Sequence, residues 1–271
     1  MVRNTILFLA VVFFSTGCMS KQMLKEQITE TLRDNPQIVL EAMRENSMDV
    51  LAIVESGIDV RDEMKRQAKF EAEINNPFNP KIWSERISLG SKDAPVTIVE
   101  YTDFLCPYCS KGAKVVKNLV TSNPEKYRLV FKHLPLHEES RELAVVFEAL
   151  SLLDKDLAFK FHDLAFARQK ELFQDKNGIV LGQILQEIDV DLEMLQEKLQ
   201  SAQVQTYLLS DEKEAREFGL DATPTFLING VSIRGYLPAD KFENMVGLIL
   251  EKSPKVLEEE GEICEDCLNQ Q

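Results

Sequence analysis

The chain has 271 residues, 44% of them hydrophobic, enough for one large domain with appendages. Its 45 acidic residues outweigh 31 basic ones, for a formal charge of −14. That balance, with no basic stripe, excludes a nucleic-acid binder; an acidic surface suits bulk solvent without choosing a substrate. Arg3 puts a positive charge ahead of the unbroken apolar run Ile6 to Phe14. So short a run cannot cross a bilayer as a helix, so residues 1–17 read as a targeting segment.

Ser15-Thr16-Gly17-Cys18 follows. Small residues before a cysteine resemble a bacterial lipobox, although Ser15 stands where that pattern usually has Leu. The resemblance implies a lipidated Cys18 and a stable membrane anchor; an ordinary secretory signal cut near the same point is the other reading. Residues 18–75 are helical in pattern. Leu24, Ile28 and Leu32 form one stripe, and Asp34-Asn35-Pro36 stops that helix and starts the next. Ile38, Val39, Ala42 and Met43 follow, then Val50, Leu51 and Val54. Such stripes have too little mass to bury themselves and call for a partner surface. The run Leu32 to Ala42 resembles the N-terminal oligomerisation segment of ScsC-type disulfide isomerases, which implies a homo-oligomer. A stalk that spaces the main domain from the membrane is the alternative.

Asn75 to Pro80 is a linker by composition, and a domain is expected over residues 76–255. Ile87-Ser88-Leu89 reads as an edge strand, Gly90 to Pro95 as a turn, and Val96 to Tyr101 as a strand running into Cys106-Pro107-Tyr108-Cys109. Two cysteines two residues apart at a strand-to-helix junction can close a small disulfide ring. The first thiol then meets unpaired backbone N–H groups and the helix dipole, which favour its thiolate. A thiolate attacks disulfides, and a low thiol pKa makes a good leaving group. A helix over roughly 109–121 and a strand over Arg128 to His133 come next. Residues 138–218 are nearly all helical, with Gly219 as a helix end. Thr225 to Ile228 and Val231 to Arg234 form a hairpin around Asn229-Gly230, and a helix runs from Pro238 to about Glu251. Pro224 belongs just before a strand, because proline cannot sit inside a central one.

The stretch Val99 to Cys109, with Thr223-Pro224 entering a strand, resembles the DsbA-type thiol-disulfide oxidoreductases of the thioredoxin superfamily over roughly residues 85–250. The fold implied is α/β, a thioredoxin fold with a helical insertion at about 138–218, preceded by an N-terminal helical segment. In that family role Cys106 is the nucleophile and Cys109 its partner. Pro107 and Tyr108 shape access, and the cis-proline loop at Thr223-Pro224 offers backbone to an extended substrate. Glu100 is an acid in an apolar strand, where burial would raise its pKa and suit it to moving a proton to and from Cys109; a solvated, edge-facing Glu100 is the plainer reading. Lys132, on the facing strand, is its expected ion partner. No cofactor is implied. The implied partners are unfolded or misfolded secreted proteins with cysteines, and a membrane redox partner, on the periplasmic side of a bacterial envelope. Oxidase, isomerase and reductase directions all use these same residues.

Other chemistries fit a dithiol. It can be half of a zinc site, a Cu(I) site, or a permanent staple in a redox-inert scaffold. His133 and His137 are four apart, but Pro135 between them argues against a helical metal pair, and His162 has no partner in view. No metal site is expected. Five cysteines divide into Cys18, Cys106/Cys109 and Cys264/Cys267. The last pair sits in an acidic tail, residues 256–271, after the run Glu258 to Glu262. It reads as a local disulfide, a second redox pair or a thiolate metal clip. Acidic flanks raise thiol pKa values, which favours the local disulfide.

Overall fold

Ser20 opens the first helix: its Oγ accepts from Met23 N at 3.2 Å. The computed structural model describes residues 20–253, so Cys18, Cys264 and Cys267 lie outside the described residues. Helix α1 (Lys21–Asp34) ends at Asn35, and α2 (Pro36–Glu45) starts with proline in the position that needs no N–H. Neither has a buried residue. Leu24, Ile28, Ile38, Val39 and Met43 are all exposed within the single chain. Helix α3 runs Ser47–Asn75. The chain divides into two compact units, residues 1–65 and 66–271. The last turns of α3 belong to the second unit: Phe70 packs on its core, Ile74 is buried, and Glu73 Oε2 accepts from Ser232 N at 2.7 Å.

The second unit is built on a mixed five-stranded sheet of order β1-β3-β2-β4-β5. Its strands are β1 (Ser88–Leu89), β2 (Val96–Thr102), β3 (Tyr127–His133), β4 (Thr225–Ile228) and β5 (Val231–Arg234). Parallel β2 and β3 are joined by α4 (Pro107–Ser122), and the other pairings are antiparallel. The β4–β5 turn puts Asn229 and Gly230 at φ 46° and 90°, the left-handed pair such a hairpin favours. A Cβ on Gly230 would stand 2.2 Å from Phe78 O, so only glycine lets the linker dock here. Between β3 and β4 lie α5 (Ser140–Leu153), α6 (Lys155–Ala167), α7 (Gln169–Leu172), α8 (Ile179–Glu187), α9 (Leu192–Leu199) and α10 (Ala202–Glu217); α11 (Ala239–Lys252) closes the described chain. This is the thioredoxin fold with its helical insertion.

Strand register decides what faces the active-site helix. Val96 and Ile98 share a core with Ala113 and Val116 of α4, Phe242 and Val246 of α11, and Phe147 of α5. Val99, Tyr101, Val130 and Leu227 pack on the opposite face, with Ala215 and Leu220. Glu100 pairs with Phe131 and Phe226, whereas Lys132 pairs with Tyr101. One residue of offset turns a side chain to the other face. The expected Glu100–Lys132 ion pair is therefore absent. Lys132 bonds Glu214 instead and lies 3.8 Å from Asp211.

That lysine belongs to a buried ionic cluster. Arg86 reaches Asp211 through two nitrogens, at 2.6 and 3.1 Å, and Glu148 at 2.8 Å. His133 Nε2 lies 2.9 Å from Glu148 Oε1, and Tyr101 donates to Glu214. The cluster ties the loop before β1 to β3, α5 and α10. His162 is buried among Phe104, Phe131, Phe147 and Phe166, with Asp163 at 3.3 Å.

Candidate active site

β2 runs out at Thr102, and four residues later Cys106 caps α4 with φ −78° and ψ 117°. Pro107 enforces both features. It disfavours the helical region for the residue before it, and its own fixed φ begins the helix. The helix thus starts one residue after Cys106, and Cys109 sits in its first turn. Cys109 is fully buried; Cys106 keeps 8% of its surface. Both are free thiols, the reduced state of the pair. Tyr108 is exposed at the rim.

The loop before β4 comes against this helix. The Thr223–Pro224 bond is cis, and Cys106 Sγ lies 3.3 Å from Thr223 O. Gly112, one turn into α4, admits the loop: a Cβ there would meet Phe226 at 2.9 Å and Pro224 at 3.2 Å. Sequence brings Pro107, Tyr108, Thr223 and Pro224 to the candidate site, and the structure gathers all four around Cys106.

Two further residues hold the thiol loop. The buried Asp103 carboxylate accepts from Leu105 N at 2.7 Å, Leu136 N at 2.8 Å, His137 N at 3.2 Å, His137 Nδ1 at 2.9 Å and the Ser140 hydroxyl. Burial pushes its pKa up, but the hydrogen bonds led by Ser140 and His137 outweigh it and keep the carboxyl below its usual range. Asp103 N donates to Cys109 Sγ at 3.4 Å. From the other side Gln169 Nε2 donates to Phe104 O at 2.7 Å and Cys106 O at 3.0 Å. The motif reading passed over Asp103, which lies beside the cysteines, and Gln169, whose link to them spans more than sixty residues. Gln169→Leu keeps the volume and leaves two carbonyls without that donor. It should lower stability by about 1–3 kcal/mol and move the Cys106 titration midpoint, read from thiolate absorbance against pH. An unmoved midpoint would reduce Gln169 to a structural tie.

The electrostatics separate the two sulfurs. A hydrogen bond from the Cys109 thiol, with help from Thr223 and the Cys109 and Tyr108 backbone N–H groups, overcomes burial and brings Cys106 down to about 5. Burial and the same sulfur–sulfur bond push Cys109 far up. At neutral pH one proton is shared between them, with Cys106 the thiolate. Glu100 lies on the sheet face packed by α4. It is fully buried, and neither carboxylate oxygen has a hydrogen-bond partner. Burial pushes its pKa up to about 8; the Thr102 hydroxyl opposes the shift from outside hydrogen-bond geometry.

A CxxC at a helix start, facing a cis-proline loop on a mixed sheet, defines a thioredoxin-fold dithiol centre. A family model described as thioredoxin (Thioredoxin_4) matches residues 84–247, well over half of the chain, and the chain belongs to that family. Na+/H+ antiporter NhaA 1 of Salinispora arenicola is 35% identical over 142 residues, which are 52% of this chain and 21% of the antiporter. The chain thus matches only about a fifth of that relative's length. Among solved structures, a linker-deletion mutant of Proteus mirabilis ScsC aligns with 88% of this chain and 100% of its own, at 20% identity and a TM-score of 0.52. The thiol-disulfide exchange protein alpha-DsbA2 of Wolbachia pipientis aligns over 70% of this chain and 98% of its own, at 18% identity and a TM-score of 0.52. These likenesses show a shared DsbA-like fold. No helix among the described residues is long and apolar enough to cross a membrane.

Proposed function

We propose that this protein is an extracytoplasmic thiol-disulfide oxidoreductase that exchanges disulfides with cysteine-bearing protein substrates. The observation that carries the reading is the difference between the two thiols: Cys106 stands at the helix start, keeps part of its surface and is favoured as thiolate, while Cys109 is fully buried and favoured as thiol. With the pair oxidised, a substrate thiolate attacks Cys106 Sγ and the Cys106–Cys109 bond breaks. Its electron pair goes to Cys109, which takes a proton; Glu100, buried on the sheet face packed by α4, is the proposed donor. A second substrate thiolate attacks the substrate sulfur of the mixed disulfide, and Cys106 leaves as a stable thiolate. The substrate is oxidised by two electrons and the protein reduced by two. With the pair reduced, Cys106 attacks a wrong disulfide, and a thiol of the same substrate expels it again, with no net electron transfer. The Thr223 carbonyl beside Cys106 gives an extended substrate a backbone partner.

The test is refolding of a scrambled disulfide substrate and oxidation of a reduced one. Cys106→Ala should abolish both, and Cys109→Ala should accumulate mixed disulfides. Activity retained by Cys106→Ala would sink the reading.

Lipidation at Cys18 would hold the protein to a membrane, and the exposed stripes of α1 and α2 would join copies. Joined active sites hold a misfolded chain while its mixed disulfide resolves, which favours isomerisation. Because Phe70, Glu73 and Ile74 belong to the catalytic unit, a fair truncation begins at Arg66. It should be monomeric by sedimentation, with weaker isomerase and equal or greater oxidase activity. A monomeric full-length soluble form would make the helices a spacer.

A further inference from the structure

Beside the dithiol runs a groove of about 340 Å³ between α4 and the start of α11, lined among others by Lys111, Lys114, Asn118, Tyr236 and Glu243. Its upper end is next to the active site. Lys111 Nζ lies 5.5 Å from the Tyr108 ring centre and 5.9 Å from that of Tyr236. The residue before Tyr236, Gly235, donates its N–H to Pro224 O at 2.8 Å. Two lysines face one acid along this wall, so the groove suits an anionic chain.

The chain carries such a segment. Residues 254–271 hold six acids, one lysine and the pair Cys264-Glu265-Asp266-Cys267. The described chain stops at Ser253, after α11, so Cys264 is eleven residues on. Fully extended, that span reaches at most about 36–40 Å. Running back along the fourteen residues of α11 takes about 21 Å. Cys264 can therefore regain the active-site end of α11 with chain to spare. We propose that the acidic segment 254–271 docks in the Lys111–Lys114 groove of its own chain and that the Cys264/Cys267 pair exchanges electrons with the Cys106/Cys109 pair. The proposal rests on the redox reading of Cys106.

The exchange balances within the chain. A tail thiolate attacks Cys106 Sγ of the oxidised active site. The Cys106–Cys109 bond breaks, its electron pair goes to Cys109, and Cys109 takes a proton. The second tail thiol loses its proton and attacks the first tail sulfur; Cys106 leaves as thiolate. The tail is oxidised to a disulfide by two electrons and the active site reduced by two. Acidic flanks disfavour tail thiolates while the helix start favours that of Cys106, so the equilibrium lies toward tail disulfide and active-site dithiol. Lys111 and Lys114 offset the flanking charge where the sulfurs must meet. Each tail dithiol would thus return Cys106 once to the reduced state that isomerisation needs.

The test runs on the full chain with Cys18→Ser, Cys109→Ala and Cys267→Ala, which removes both thiols able to resolve the link, with diamide as the two-electron oxidant. Cys106 should then rest in a mixed disulfide with Cys264, seen as one cross-linked peptide pair by mass spectrometry. In an equal mixture of light and heavy isotope-labelled protein, the link should join like-labelled peptides only. Lys111→Glu with Lys114→Glu, or high salt, should cut its rate of formation at least tenfold. Oxidised glutathione tests the redox reading separately. If glutathione is captured on Cys106 and no tail link forms, the proposal falls and the redox reading stands; if neither forms, both fall. Links between unlike labels, or a rate indifferent to the lysine changes, would also overturn the docked tail. So would a lysine effect on substrate turnover that persists undiminished after removal of residues 254–271, which would give the groove to acidic segments of substrates.

Discussion

Methionine at Arg86 is expected to cost about 3–5 kcal/mol of folding stability, the usual loss when one partner of a buried ion pair is removed. Arg86 is 1% exposed and satisfies both Asp211 oxygens and one of Glu148. Lys132 and Glu214 complete the cluster, with His133 against Glu148. Without the guanidinium, the three buried carboxylates of Asp211, Glu148 and Glu214 share Lys132 and His133, and one of them must take up a proton or admit water. For a catalytic unit of about 200 residues, each kcal/mol is worth about 2–4 °C, so melting should fall by roughly 6–20 °C. Arg86→Lys should recover only part of this, because an ammonium cannot span Asp211 with two parallel bonds. Thermal unfolding of the Arg66–Gln271 fragment reads the effect, and a drop below about 1 kcal/mol would show that water already reaches the cluster.

Glutamine at Glu100 should act in the opposite direction and only above acid pH. The carboxyl titrates near 8 in the folded protein and from 4.5 in the reference state. Between those values the folded chain keeps a proton that the unfolded chain has lost. The folded state binds more protons there, so stability falls as pH rises from about 4.5 to 8. At 1.36 kcal/mol per pKa unit the fall is on the order of 5 kcal/mol as an upper bound. Glutamine mimics the protonated acid at equal volume and removes the slope, so the variant should match the wild type at pH 4 and exceed it at pH 8. The comparison belongs in the oxidised form. In the reduced form Cys106, lowered from 9 to about 5, contributes stability that rises with pH across that window and masks the slope. The variant should also slow the step that protonates Cys109. Parallel stability curves for the two proteins would mean that Glu100 is solvated or paired.

Much of this was legible because it is local. Cys106 to Cys109, the hairpin at Asn229-Gly230 and Pro36 at a helix start each state their geometry within a few residues. The strand–helix–strand order and helical insertion followed from runs of apolar spacing. What failed was lateral. Whether Lys132 faces Glu100 depends on the register between β2 and β3, and a shift of one residue reverses the answer; nothing within either strand fixes it. Arg86, Glu148, Asp211 and Glu214 look like ordinary surface charges in sequence, since Arg86 meets Glu148 and Asp211 across 62 and 125 residues and Lys132 meets Glu214 across 82. Gln169 is hidden for the same reason, and Asp103 because its hydrogen-bond partners come mostly from the loop after β3.

The anchoring of the thiol loop bears on how such a centre can be moved or inherited. Asp103 is fastened by Leu136, His137 and Ser140, and the Cys106 carbonyl by Gln169. Those anchors lie in the segment inserted between the two halves of the sheet. The four-residue motif is therefore not a portable cassette. Transplanted onto a bare thioredoxin scaffold it would keep its cysteines and lose the grip that sets their spacing and charge. Insertion and motif form one heritable unit, in which a change at Ser140 or Gln169 is felt at sulfur.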